Sequence, residues 1–85
     1  MITVYKYTLL PTCTLELPEG AEILTVGAQG EDICIWVKVD TDKPTVKRSF
    51  QTYGTGMEMD SNKNHDFIGT TFLGSLVFHT FEIKE

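Results

Sequence analysis

Short runs of β-branched, aromatic and aliphatic residues, broken at Gly, Pro, Asn and Asp, constrain this chain of 85 residues more than any other feature. No segment has the apolar spacing of three and four residues that marks an amphipathic helix. Residues 12–17 instead alternate: Cys13, Leu15 and Leu17 fall on one side of an extended chain, and polar residues fall on the other. Such alternation is typical of a strand with one buried and one solvated face. The pattern therefore predicts an all-β chain.

The breaks divide the chain into about seven short strands. Residues 33–39 are the best candidate for a central strand, because their second face carries Cys34 and Trp36 and would also be covered; we expect Trp36 in the core. A tight hairpin is predicted at Gly74. The whole, 1–85, is predicted to be a single domain, a small antiparallel β-sandwich or barrel. The predicted strands are residues 2–9, 12–17, 21–28, 33–39, 45–53, 65–73 and 75–83.

Two further features concern the surface. Residues 57–64 are polar and fit no strand pattern, so we expect an exposed, flexible loop there. Tyr5 and Tyr7 are two residues apart in the first predicted strand, so their side chains should lie on the same face and form one patch. The first and last strands are predicted sheet edges, and an open edge can pair with a second copy, so a homo-oligomer is expected.

Acidic residues dominate the charge. Twelve acids stand against seven bases, for a net charge of −5. A general nucleic-acid binder needs a basic face, so that class is excluded. One interpretation of the acidic charge is that it keeps the protein soluble. The alternative is that it forms a surface that binds a basic partner or mimics DNA. Within the acidic first half, Glu31 and Asp32 are candidate contact residues for such a partner.

The cysteines and histidines predict neither a metal site nor a cofactor. Cys13 and Cys34 form no CxxC pair, and His65 and His79 stand apart. The first residues lack the layout of a secretory signal, so we expect free thiols in a reducing cytoplasm, and no membrane association. His79 lies in an apolar strand and is expected to be a hydrogen-bonded structural residue.

The string from Tyr53 to Gly56 has two interpretations. Two glycines around Thr55 could expose backbone N–H groups to an anion, with Lys47 and Arg48 supplying charge. Alternatively, the glycines only supply turn angles. No nucleophile or acid–base constellation is apparent, so we expect that the chain is not an enzyme.

Several strings together resemble a family of small proteins encoded by tailed bacteriophages and prophages, of unassigned function. The resemblance covers most of the chain and omits residues 57–64. It implies a phage accessory protein made in the cytoplasm of an infected bacterial host. The strings are Tyr5-Lys6-Tyr7, residues 13–29, residues 34–40, Arg48-Ser49-Phe50, residues 53–56 and residues 67–82.

Three functions stay open at this point. The first is a non-catalytic protein that binds and inhibits a host bacterial protein of defence or housekeeping. The second is an oligomeric sponge that sequesters a small anionic, nucleotide-like signalling ligand at Lys47, Arg48, Tyr53 and Thr55. The third is a minor virion or assembly component.

Overall fold

The computed structural model describes residues 1–84, which form seven antiparallel strands and no helix. The all-β prediction is therefore confirmed, and each predicted strand lies within one or two residues of its observed bounds. Between Met1 and Lys84 no helix has the length and apolarity to cross a membrane. The strands are β1 Ile2–Leu9, β2 Thr12–Pro18, β3 Glu22–Gln29, β4 Asp32–Asp40, β5 Thr45–Gly54, β6 Asn64–Leu73 and β7 Leu76–Lys84.

The strands form two sheets arranged as a sandwich. One sheet has three strands in the order β1-β4-β3, and the other has four in the order β2-β5-β7-β6. The prediction that β4 is central is confirmed. The prediction that the last strand is an edge is wrong, because β7 pairs with β5 on one side and forms a hairpin with β6 on the other. The positive φ of Gly74, 58°, makes that hairpin turn.

Alternation along each strand decides which face it buries. Leu17, Ile35, Val37 and Phe50 face inward and are at most 1% exposed, and the core cluster is completed by Leu9, Ala21 and Val39. The expected division of β2 is confirmed, since Leu17 is buried while Glu16 is exposed. We call the face of a sheet that points toward the other sheet its inner face, and the opposite one its outer face.

The expectation that Trp36 lies in the core is wrong. Its register opposite Lys6 and Thr25 places it on the outer face of the three-stranded sheet, outside the core cluster. A Cβ added to the neighbouring Gly27 would lie 3.6 Å from the indole, so the ring extends across the position where β3 has no side chain. Cys34 shares this outer face yet is 2% exposed, and both cysteines are free as expected.

Tyr5 and Tyr7 do share one face. Their rings meet edge to face, with centroids 6.3 Å apart. Tyr7 packs against the core, whereas Tyr5 is 42% exposed because β1 is the edge strand. Residues 57–63 lie outside the strands and are exposed, and Asn64 already begins β6. The flexibility of this segment stays a prediction.

The sheets approach most closely where β3 of one faces β6 of the other. A Cβ at Gly69 would lie 2.7 Å from Cγ1 of Val26, closer than packed carbon atoms tolerate. Val26 is β-branched and held in a strand, so its side chain has little freedom to move away. Glycine at 69 therefore permits the contact between the sheets.

We expect Gly69→Ala to lower the free energy of unfolding by about 1–3 kcal/mol, because the added methyl group overpacks the contact with Val26. Gly27→Ala is the matched control, since its new Cβ would make only an ordinary contact with Trp36. That variant should be unchanged or more stable by up to about 1 kcal/mol. Urea denaturation of both variants measures the difference, and equal stabilities would contradict the account.

Candidate functional site

A charged cluster closes one end of the sandwich. Nε and Nη2 of Arg48 on β5 donate to the two carboxylate oxygens of Glu82 on β7, at 2.6 and 2.8 Å. Nη1 donates to the carbonyl oxygen of Ala21, which precedes β3, at 2.6 Å. The side chains of Arg48 and Glu82 are only 19% and 8% exposed. This two-pronged ion pair connects the four-stranded sheet to the segment that leads into the other sheet.

The ion pair shifts the titration of both groups. Hydrogen bonding to Glu82 raises the pKa of the Arg48 guanidinium further above its ordinary value. Burial alone would raise the pKa of the Glu82 carboxyl, but the hydrogen bonds and charge of Arg48, aided by Lys84, hold that pKa below its ordinary value. Both groups are therefore ionised in the folded protein at neutral pH.

The four residues predicted to hold an anion do not converge. Arg48 points inward to Glu82, whereas its neighbour Lys47 lies on the outer face opposite Glu16. Tyr53 is 5% exposed. Thr55 lies in the turn after β5, where its hydroxyl bonds to Nε2 of His79 at 2.8 Å. Lys47 and Arg48 do line one open depression of about 520 Å³, together with Lys84 and Glu82, but Tyr53 and Thr55 do not belong to it.

The turn after β5 also uses most of its amides internally. The amide of Thr55 donates to the carbonyl oxygen of Val77 at 3.1 Å, and the amide of Met57 donates to the carbonyl oxygen of Gly54 at 3.0 Å. The amide of Gly54 donates to the Met57 sulfur. Of the two glycines, only Gly56 has a positive φ, 89°. The turn interpretation therefore accounts for Gly56, while Gly54 still belongs to β5.

His79 has the structural role expected of it. Besides its contact with Thr55, its Nδ1 lies 3.1 Å from the hydroxyl of Thr70 on β6. The imidazole therefore connects the turn after β5 to the strand on the other side of β7. Within residues 1–84, no three His, Cys, Asp or Glu side chains are grouped so as to hold a metal ion.

The opposite end of the sandwich carries an apolar cleft, which we call the end cleft. Its volume is about 320 Å³. It lies where the β1–β2 turn, the β3–β4 turn, the end of β5 and the β6–β7 hairpin meet. No ion pair among residues 1–84 spans it, in contrast to the end closed by Arg48 and Glu82. Its lining comprises Leu9, Leu10, Pro11, Glu31, Asp32, Ile33, Thr52, Gly54, Met57, Leu73 and Phe78.

Glu31 and Asp32, the predicted partner contacts, both belong to the end cleft. They follow the tight turn at Gly30, whose φ is 61°, and both are exposed. No ion pair among residues 1–84 involves either carboxylate. The cleft thus combines an apolar floor with two uncompensated negative charges.

Sequence reasoning missed the residues that complete both ends. Arg48 is two residues from Phe50 in β5, so its side chain lies on the same inner face, where a guanidinium needs an acidic partner. No feature of the neighbouring sequence indicated that this partner is Glu82. Leu10 breaks the alternation just before Pro11 and is 67% exposed, which marks an apolar side chain outside the core. Met57 and Phe78 reach the cleft only through the pairing of distant strands.

We expect Arg48→Met to lower the free energy of unfolding by about 3 kcal/mol, because it leaves the buried Glu82 carboxylate with only the half-exposed Lys84, 3.4 Å away, as a partner. Lys47→Met removes the adjacent exposed charge and should cost less than about 1 kcal/mol. The double variant Arg48→Met, Glu82→Leu should regain much of the loss. Urea denaturation is the measurement, and equal losses in the two single variants would contradict a structural role for the pair.

The lowered pKa of Glu82 also predicts a pH dependence. Its ionised form stabilises the fold above the ordinary pKa of a glutamate, about 4.3, and this contribution is lost as the pH falls through the lower pKa of the folded state. Glu82→Gln lacks that contribution. The stability gap between wild type and Glu82→Gln should therefore narrow as the pH is lowered, in urea titrations from about pH 6 to about pH 2. A gap independent of pH would refute the assignment.

Comparison with known proteins gives a family and no relative of established activity. A family model described as a domain of unknown function, DUF7352, matches residues 1–85. No curated protein and no solved structure matches the chain. Because the match spans the whole chain, the chain belongs to the DUF7352 family.

Proposed function

We propose that this chain is a non-catalytic phage accessory protein that binds a host bacterial protein through the end cleft. The observation that carries the proposal is the combination of an apolar floor with Glu31 and Asp32 at its rim. The occupant that fits this chemistry is a segment of the partner with an apolar side chain next to Lys or Arg.

The size of the cleft favours a side chain as its occupant. Sites for cofactors and drug-sized ligands measure roughly 300–1,000 Å³ and enclose most of the ligand. The end cleft, at about 320 Å³, is at the bottom of that range and is open to solvent along one side. Leu10 at its rim is exposed in the free protein and would be covered in the complex. Burial of such apolar surface supplies the affinity.

The charges supply specificity and speed of association. Glu31 and Asp32 add to the net charge of −5, so a basic segment is attracted to this end of the molecule. Charges at the rim of an interface change the association rate more than the dissociation rate. The same charges disfavour an acidic partner and nucleic acid.

The phage origin and the bacterial cytoplasm in this proposal rest on the resemblance of the sequence strings to phage and prophage proteins. Inhibition of the bound host protein is the action proposed for the complex. The anion-sponge alternative is less well supported, because Tyr53 and Thr55 lie outside the depression that Lys47 and Arg48 line, and the guanidinium of Arg48 there is already paired with Glu82.

The test compares proteins captured from a bacterial lysate by four immobilised proteins. They are the wild type, Leu10→Asp, Glu31→Gln with Asp32→Asn, and the control Glu19→Gln with Glu22→Gln, which removes the same charge at the other end. A specific partner should be retained by wild type and control and lost with Leu10→Asp. With the purified partner, neutralising the rim should slow association about tenfold at low salt, and less at high salt.

Two outcomes would contradict the proposal. One is that no lysate protein distinguishes wild type from Leu10→Asp. The other is that the control pair slows association as much as the rim pair does, which would reduce the effect to net charge.

A further inference from the structure

The free edge of β1 differs from the other edges of the two sheets. The edge strands are β1 and β3 in one sheet and β2 and β6 in the other. Bulges interrupt β3 and β6, and β2 ends at Pro18, which has no N–H to donate. Irregularities of this kind keep an edge from pairing with another strand. Ile2–Leu9 contains no proline and pairs with β4 without a shift in register, so β1 is a regular edge that a further strand can extend.

The backbone groups of β1 point alternately toward β4 and toward solvent. The amide of Thr41 donates to the carbonyl oxygen of Met1 at 2.8 Å, and these two residues lie opposite each other when the register of β1 and β4 is extended by one position. In an antiparallel ladder, every second residue directs both its N–H and its C=O to the same neighbouring strand. The odd-numbered residues of β1 therefore bond to β4. The residues whose N–H and C=O point to the free edge are Ile2, Val4, Lys6 and Thr8.

The side chains next to this edge leave it open. Lysine on an edge strand often prevents pairing. Here, however, Nζ of Lys6 donates to the side-chain oxygen of Gln29 on β3, so the amine lies back over its own sheet. Tyr5 belongs to the inner face yet is 42% exposed, so the sandwich is not closed along this side. A strand added to β1 would thus satisfy the free backbone groups and cover this ring together.

Charge also permits two copies of this acidic chain to meet along β1. The chain carries −5, yet β1 contains no acidic residue. Beside the start of β1, the carboxylates of Asp40 and Asp42 are both bonded to the Met1 ammonium, at 3.4 and 2.9 Å. In a twofold dimer each surface meets its own copy, so a strand without unpaired acids avoids repulsion between like charges.

The sequence of β1 is complementary to itself in one register. A twofold axis at Tyr5 places Val4 opposite Lys6 of the second copy and Ile2 opposite Thr8 of the second copy, and both pairs exchange backbone hydrogen bonds. Moving the axis to Lys6 would place two lysines opposite each other, and moving it to Val4 would leave Thr8 unpaired. At the axis the two Tyr5 residues form a non-hydrogen-bonded pair, in which side chains lie closest and aromatic rings stabilise the ladder.

We propose that β1 pairs antiparallel with β1 of a second copy about a twofold axis at Tyr5. The three-stranded sheets of the two copies then form one continuous sheet. Sedimentation velocity over a hundredfold range of micromolar concentrations should show wild type shifting from the mass of one chain to that of two. A wild type that stays monomeric throughout this range would overturn the proposal.

Exchanging the charge at position 4 tests the register. In Val4→Glu the new carboxylate lies opposite Lys6 of the second copy, and in Val4→Lys the new amine lies there instead. Since each dimer contains this pair twice, we expect the dissociation constant to fall about fivefold with glutamate and to rise about fivefold with lysine. Repulsion between whole chains predicts the opposite order, because Val4→Glu makes an acidic chain more acidic.

Leu24→Glu and Leu24→Lys are the matched controls. Leu24 lies at the bulge of β3 and is 46% exposed, and Val4 is 51% exposed. The control pair should show only the smaller effect of net charge, with the glutamate variant dimerising less well than the lysine variant. The same order in the Val4 pair would contradict the proposed register.

Hydrogen exchange of the unmodified protein covers the case in which a Val4 variant does not fold. Amides in stable hydrogen bonds exchange slowly. The amides of Val4, Lys6 and Thr8 should therefore become protected as the concentration rises through the dissociation constant. The amides of Tyr5 and Tyr7, which bond to β4, should be protected at every concentration. Protection of Val4, Lys6 and Thr8 that ignores concentration would overturn the proposal. None of these results depends on the end cleft having a partner.

Discussion

The ion pair between Arg48 and Glu82 is the contact on which the shape of this molecule depends. It joins β5 to β7 within one sheet, and its third hydrogen bond reaches the carbonyl of Ala21 on the way to the other sheet. The pair is buried beside the core, because Phe50 lies opposite Glu82 in the sheet and Ala21 belongs to the core cluster. Two ionised groups are tolerated there because each satisfies the other through two hydrogen bonds. Among residues 1–84 no such pair closes the opposite end of the sandwich, where Glu31 and Asp32 are both acidic.

The strands themselves were predictable because alternation is a local property. Thr12 to Pro18 pack with one face buried, and β4 is central because both of its faces carry large side chains. Strand order was not predictable in the same way. β7 ends the chain, which favoured an edge, but its partner β5 is distant in sequence. The prediction that Trp36 lies in the core was wrong for a related reason. The glycine that leaves space for the indole on the outer face, Gly27, lies on a neighbouring strand.

The predicted site residues also differ in how well the sequence alone could place them. Glu31 and Asp32 were recognised from charge alone, and their position in a tight turn keeps them exposed. Lys47 and Arg48 were expected to supply charge to one anion, yet successive residues of a strand point to opposite faces, so Lys47 lies outside and Arg48 pairs with Glu82. Both still line one depression, but the ion pair occupies the guanidinium of Arg48. Sequence proximity therefore located the charges without showing which of them is free.

The end of β5 serves both the end cleft and the sheet behind it. Thr52 and Gly54 line the end cleft, while the hydroxyl of Tyr53 between them lies 3.0 Å from Nε2 of His65 on the outer face. Successive residues of a strand point to opposite faces, so the residues that line the cleft alternate with one that anchors β5 to β6. This side of the cleft is thereby held in place before a partner binds, which lowers the entropy cost of binding.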